Sequence, residues 1–349
     1  MPSKNANLRK ADWTKNDEFY TQLPDIEKEL MHYKEHFRWK TVLCNCDDPR
    51  VSNFFHYFSH NFEPLWLKRL ITTCYKNQNP NLFSENKSEK AVYLIYDWDK
   101  NWNHIPDPNE IWIHELKWDW DFRREECIEL LEQADIVVTN PPFSLFREYL
   151  AQLIKYDKKF LILSNMNAIT YKEVFPLIKD NKIWTWYGFN MSMVYKTTYP
   201  NLLEANRKFV KSKWYNPDEW YIKVPAICWF TNLDIKKRHE DLIMYKKYNT
   251  EEYPHYDNYD AINVDKVSDI PCDYNWIIWV PITFLDKYNP EQFEIIGMAH
   301  GDAGVELGLK PYPRELKKLN NWMRDGDLYY MVNGMPILPY RRILIRRKK

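Results

Sequence analysis

The residues Asn140-Pro141-Pro142-Phe143 stand between an apolar run, Asp135 to Thr139, that reads as a buried strand and a stretch from Leu145 to Lys155 that reads as a helix. The two prolines stiffen the turn, so the Asn140 side-chain oxygen and the Pro141 carbonyl can accept both hydrogens of one NH2 group. With those hydrogens held, the nitrogen lone pair can point at an electrophilic carbon, and Phe143 offers a face on which a planar ring can stack. Such a loop suits methylation of an exocyclic amine, achieved by positioning and without a strong general base. The competing reading is a proline-rich turn that only caps the next helix.

A nucleotide-like cofactor beside this loop is expected in the crevice beyond the C-terminal ends of a parallel sheet. Three segments are candidates to reach it: Asn45 to Pro49, Trp118 to Phe122, and Asp17 to Thr21. Carboxylates at Asp47, Asp119 or Asp121 suit a ribose hydroxyl, an adenine amine or a cofactor ammonium group, although each also reads as a helix cap or turn residue. Asp97, Asp99, Asn101 and Asn103 superficially match a calcium loop, but Trp102 occupies the position of its glycine. No Gly-rich phosphate loop, nucleophilic triad or trusted metal-ligand spacing occurs, so no metal is expected. His239, within Lys236-Lys237-Arg238-His239, reads as part of a solvated basic patch.

The surrounding pattern supplies the frame. The spacing predicts a helix over Leu23 to Phe37, then a buried strand over Thr41 to Cys44. Beyond it, Asp48 is placed to cap a helix that Pro49 opens and that carries Phe54, Phe55 and Phe58 inward. Strands are expected at Leu67 to Tyr75, Ala91 to Tyr96, Ile111 to Leu116, Lys159 to Ser164 and Ala226 to Thr231, with helices at Arg123 to Gln133 and Tyr171 to Ile178, the latter carrying an awkward Pro176. Strands alternating with helices imply an α/β fold, a mostly parallel sheet covered on both faces. Residues 186–223 are aromatic and basic without clear periodicity, and 245–290 suggest an irregular elaboration. The expected organisation is a catalytic and cofactor-binding core over 1–185. The remainder, 186–349, returns one piece to that core at about 224–240 and holds a target-recognition region and a basic tail.

The chain has 349 residues, 45% hydrophobic and 28% charged, enough for a sizeable core. It has no window apolar enough for a membrane span and opens too polar for a signal peptide. Its 49 basic and 49 acidic residues cancel, yet the front is acidic and the back basic, and the end, RRILIRRKK, suits either a polyanion contact or a solvated terminal strand or tail. Six cysteines include one C-x-C and no C-x-x-C pair, which indicates buried thiols in a reducing cytoplasm. Average usage would give about 24 glycines in a chain this long. Only seven occur, the first at Gly188, against sixteen tryptophans, several of them where turn residues belong. The reading offered for this imbalance is a gene in which UGA specifies glycine and has been rendered as tryptophan; a truly Trp-rich protein is the alternative.

These residues resemble the EcoRI-type family of adenine-specific DNA methyltransferases. The matching runs are NDEFYTQ (16–22), CNCDDPRVSNFF (44–55), DIVVTNPPFSLFREYL (135–150), ITYKEVF (169–175), WFTNLD (229–234), YDNYDAINV (256–264) and VPITFLDKYNPEQFE (280–294). The resemblance implies a Rossmann-like fold, S-adenosylmethionine as cofactor, and methylation of the adenine amino nitrogen in duplex DNA after the base is flipped out of the stack. It implies catalytic roles for Asn140, Pro141, Pro142 and Phe143 and cofactor contacts for Tyr20, Thr21, Asn45, Asp47 and Asp48. It also implies phosphate contacts from the basic back half, base-reading residues within 186–290, and a cognate restriction endonuclease as a possible partner. Where the family tends to show Gly-Asp-Gly-Asp-Phe this chain has Trp118-Asp119-Trp120-Asp121-Phe122, and Trp39, Trp66, Trp98, Trp102, Trp112, Trp276 and Trp279 look like the same exchange, whereas Trp184 and Trp229 fit as tryptophans. Two alternatives stay open: methylation of another planar amine, in an RNA base or a protein glutamine, and a DNA-binding module without turnover.

Overall fold

The computed structural model describes residues 20–45, 52–74, 92–98, 110–116, 121–185, 187–196, 204–219, 221–299, 301–339 and 342–348. Asp47, Asp48 and Asp119 lie outside them. So do Trp118 and Trp120 and most of the calcium-like stretch. The chain divides into two compact units, residues 1–175 with 183–233, and residues 176–182 with 234–349.

The first unit is built on one mixed sheet. At its centre β2 (Thr41–Cys44), β3 (Arg69–Cys74), β6 (Ile136–Thr139) and β7 (Lys159–Asn165) run parallel in the order β7-β6-β2-β3. Val42, Leu43, Val137, Val138 and Phe160 to Leu163 are all buried, the continuous apolar runs expected of strands covered on both faces. Both flanks are antiparallel. β4 (Val92–Tyr96) and β5 (Ile111–Glu115) extend the β3 side. On the other side β10 (Tyr221–Thr231) pairs with β7, β8 (Trp184–Thr185) and β9 (Met191–Lys196), and β1 (Tyr20–Thr21) closes the edge against β9. The expectation of a mostly parallel sheet therefore holds only for the central four strands, because the outer strands pair antiparallel, some with a sequence neighbour, as β4 with β5, and some across long separations, as β1 with β9 and β10 with β7.

Helices α1 (Leu23–Leu30), α2 (Lys34–Phe37), α3 (Asn53–His60), α4 (Glu125–Gln133) and α5 (Phe146–Lys155) cover this sheet. Phe54 of α3 meets Trp229 edge-on while Phe146 of α5 packs against the next residue, Phe230. Successive strand residues point to opposite faces, so α3 and α5 lie on opposite sides of the sheet. The expected helix over Leu23 to Phe37 is broken at Met31 to Tyr33, where His32 and Tyr33 donate to carbonyls three residues back and tighten the turn. Ser52 caps α3 by accepting from the Phe55 N–H. The helix expected from Tyr171 is shorter, α6 (Phe175–Lys179), with Pro176 at its tolerant start. Residues 186–223, which gave no period, contain β9 and α7 (Glu204–Ser212).

The second unit contains a four-stranded sheet in the order β11 (Ile262–Asn263), β12 (Ile278–Pro281), β16 (Arg342–Arg347), β13 (Phe293–Met298), and a hairpin of β14 (Tyr330–Val332) and β15 (Met335–Ile337). The basic end of the chain is thus an inner strand. Ile343, Leu344 and Ile345 are buried, Arg342 reaches Asp265, Arg346 reaches Glu294 at 2.7 Å, Arg347 donates to the Cys272 carbonyl and Lys348 to that of Pro290. Trp279, expected to stand for glycine, is built into the core beside Tyr256, Leu309 and Leu344, and Trp276 lies exposed with its indole on Asp260. Among the described residues no helix is long and apolar enough to cross a membrane.

Candidate active site

Asn140 follows the last residue of β6, and Asn45 follows the last residue of the adjacent β2. The two ends are tied together: the Thr139 hydroxyl donates to the Asn45 carbonyl, and the Tyr149 hydroxyl, from α5, donates to the Asn45 side-chain oxygen. Buried polar groups need such partners, so these bonds fix the spacing between the β2 loop and the β6 loop. Asn140 and Pro141 are buried and its side-chain oxygen is fully enclosed, while Pro142 and Phe143 are half-exposed. The Pro142 carbonyl accepts from the Leu145 N–H at 2.9 Å, closing the short 3-10 turn Phe143–Leu145 that leads into α5. A rigid acceptor set and a half-exposed ring follow directly from Pro-Pro between a buried strand and an amphipathic helix.

Tyr149, which the sequence did not single out, and Phe122, the end of one of the three candidate segments, complete this end of the sheet. Tyr149 sits on the inner face of α5 with Phe146, Leu150 and Leu153. Its three-to-four spacing marked it as core but gave no sign that its hydroxyl would serve Asn45. Phe122 packs edge-on against Tyr149, with ring centroids 5.1 Å apart, and its carbonyl accepts from Gln152 at 2.8 Å. This places Phe122 beside Tyr149, whose hydroxyl holds Asn45.

The other candidates are placed less centrally. Asp121 holds Arg123 through Nε at 2.8 Å and Nη2 at 2.6 Å, and Arg123 in turn meets Glu148 at 2.7 Å. The Arg123 hydrogen bond keeps the Asp121 carboxyl below the usual carboxylate range. Its carboxylate is therefore engaged in a local ion pair. Tyr20 and Thr21 form β1, on the sheet edge remote from β2, but the Thr21 carbonyl accepts from Asn53 at 2.7 Å, the first residue of α3. The Thr21 hydroxyl is buried and makes no hydrogen bond among the described residues. A buried polar atom left in that condition fits a site completed by a polar ligand.

His239 is not part of a freely solvated patch. Its ring bonds Asp234 at 2.8 Å and Glu291 at 3.1 Å, and the Asp234 hydrogen bond in particular raises its pKa above the ordinary value of 6.5. This cluster lies in the second unit.

A sequence model of the family described as adenine-specific methyltransferase EcoRI matches residues 7–348. The chain belongs to this family. It is 49% identical over 322 residues to the type II methyltransferase M.EcoRI of Escherichia coli, covering 90% of this chain and 96% of that one. It is 36% identical over 350 residues to the type II methyltransferase M.MgeORF184P of Mycoplasma genitalium, covering 98% and 99%, and 36% identical over 295 residues to M.MpnI of Mycoplasma pneumoniae, covering 83% and 84%. No solved structure matches it. The chain is therefore an adenine-specific methyltransferase.

Proposed function

We propose that this chain is a site-specific DNA methyltransferase that uses S-adenosylmethionine to methylate the N6 amine of adenine in duplex DNA, in a type II restriction-modification setting. The observation that carries this reading is the coupling of Asn45 to Thr139 and Tyr149, which fixes the end of β2 against the Asn140 loop. S-adenosylmethionine supplies an electrophilic methyl group. Residues at the β2 end, Asn45 with Asp47 and Asp48 beyond it, together with Thr21, are assigned to hold it, the enclosed Thr21 hydroxyl being the structural feature that fits a bound polar group. Asn140 and the Pro141 carbonyl accept both N6 hydrogens, Phe143 stacks on the adenine, and the fixed spacing aligns the nitrogen lone pair with the methyl carbon. As the new N6–methyl bond would form, the sulfonium–methyl bond would break and release the demethylated cofactor, and N6 would then lose one proton to solvent, because the exocyclic nitrogen becomes strongly acidic once alkylated.

Adenine inside a duplex cannot reach such a loop, so the base is flipped out, at a cost of a few kcal/mol that contacts elsewhere must offset. Base-reading residues are assigned to 186–290, and a nuclease of the same site specificity is the matching partner. The test is transfer of labelled methyl from S-adenosylmethionine to unmethylated duplex DNA, run against RNA and a glutamine-containing protein as competitors. Label in N6-methyladenine of DNA is expected. Label in RNA or in a glutamine amide instead would overturn the substrate assignment, and saturable DNA binding with no label anywhere would favour a module without turnover.

A further inference from the structure

Three tryptophans occupy backbone positions that no large side chain suits. Among the described residues nine other than glycine have positive φ; four are Asn or Asp, and three are Trp39, Trp66 and Trp214, with φ of 59°, 54° and 67°. Only ten tryptophans are described at all. For a bulky residue the left-handed region is a genuine outlier, and tryptophan has no short polar group that could bond locally to offset it.

The local hydrogen bonds show what each position requires. The Trp214 N–H donates to Lys211 O and the Tyr215 N–H to Val210 O, the paired bonds that end a helix with its following residue in the left-handed conformation. Trp66 and Leu67 do the same with Glu63 O and Phe62 O. Among the described residues the three other places with this pattern are held by Asp157, Asn181 and Gly308, residue types that tolerate the left-handed conformation. Trp39 stands third in a turn closed by Lys40 N–H to Phe37 O. The second residue, Arg38, has φ −59° and ψ 121°, which is a type II turn whose third residue calls for glycine.

None of the three is rewarded by burial. Trp39 is 61% exposed, Trp66 52% and Trp214 98%. Trp39 and Trp66 meet edge-on at 5.6 Å, and Arg38 lies over the Trp66 ring. These are surface contacts that do not explain the backbone. Trp184 and Trp229 behave differently: the Trp184 indole donates to Leu233 O, and Trp229 is fully buried against Phe54.

We propose that residues 39, 66 and 214 of the protein made in its source organism are glycine, their codons being UGA read as glycine, while 184 and 229 are tryptophan. The composition points the same way, since the seven glycines all fall at or after Gly188 and sixteen tryptophans accompany them. Position 214 is added by the structure, because nothing in the sequence distinguished it.

The test is to read the codons and to measure, by mass spectrometry, the peptides spanning 39, 66 and 214 in the protein isolated from its source. UGA codons with glycine masses at all three, and UGG at 184 and 229, are expected. UGG at 39, 66 and 214, or tryptophan masses there, would overturn the proposal. A recombinant comparison tests its physical basis: Trp39→Gly, Trp66→Gly and Trp214→Gly together should raise the melting midpoint by roughly 2 °C or more per site, whereas Trp229→Gly should lower it sharply. A triple variant no more stable than the chain as written would contradict the argument from backbone conformation.

Discussion

The end of β2 and β6 and the basic end of the chain both looked functional in sequence, but the structure uses them oppositely. At the ends of β2 and β6 the Asn45 and Asn140 side chains are buried, and Asn45 is held by the hydroxyls of Thr139 and Tyr149. In RRILIRRKK the described cations are engaged within the chain, on Asp265, Glu294 and three backbone carbonyls, while the intervening Ile-Leu-Ile fills a core. Burying polar groups costs free energy unless they are satisfied, so a cluster of them beside a strand end points to chemistry. A count of surface charge does not, until the partners of those charges are known.

The largest effect that would break this contrast is at the buried cluster. Tyr149→Phe leaves the buried Asn45 oxygen without its donor, so unfolding by denaturant should show a loss of about 1–3 kcal/mol. It should also weaken S-adenosylmethionine binding, measured by titration without DNA; unchanged stability and affinity would remove Tyr149 from the site. Arg123→Ala frees Asp121 and should raise its carboxyl pKa toward the ordinary range, as followed by NMR, with transfer activity changed far less than by any change at Asn140.

At the basic end the expected effects are smaller. Arg346→Gln breaks a surface pair with Glu294 worth about 1 kcal/mol or less. If that cation is spent on the fold, the slope of log affinity for DNA against log salt should stay the same, whereas loss of a phosphate contact would reduce it by about 0.9.

The smallest effect is in pH. His239 has its pKa raised by Asp234 and Glu291 in the folded chain, so its contribution to stability is fully present below about pH 6.5 and is lost as pH rises through the folded value. The melting difference between the native chain and His239→Ala should therefore be largest in mild acid and shrink toward alkaline pH; a difference that grew with pH would reverse the assignment.

Much of the first unit was legible because its signals are local. Asn140-Pro141-Pro142-Phe143 announces itself between a four-residue buried strand and an amphipathic helix, and β2, β4, β5 and β7 fall where apolar runs place them. Tyr149 was illegible in its role because a helix period reports which face is buried, not which strand end a hydroxyl will meet. The antiparallel pair of β4 and β5 was legible as two strands joined by a hairpin-like stretch, but the antiparallel β10 flank was missed because alternation of element types carries no strand direction for residues paired across long separations, as Tyr195 and Ile222 are. β16 was half legible: a terminal strand was one reading of RRILIRRKK, but the arginines in it obscured that it would be an inner strand between β12 and β13.

The central claim is that the fixed Asn140 loop does the chemistry by holding an amine. Single-turnover methyl transfer by Asn140→Ala on saturating duplex DNA tests it most directly, with DNA affinity measured on the same sample. The account predicts transfer slowed by at least about a hundredfold, in the range seen when one positioned hydrogen-bonding group is removed from an active site, with DNA binding largely retained. Transfer at the native rate would contradict it.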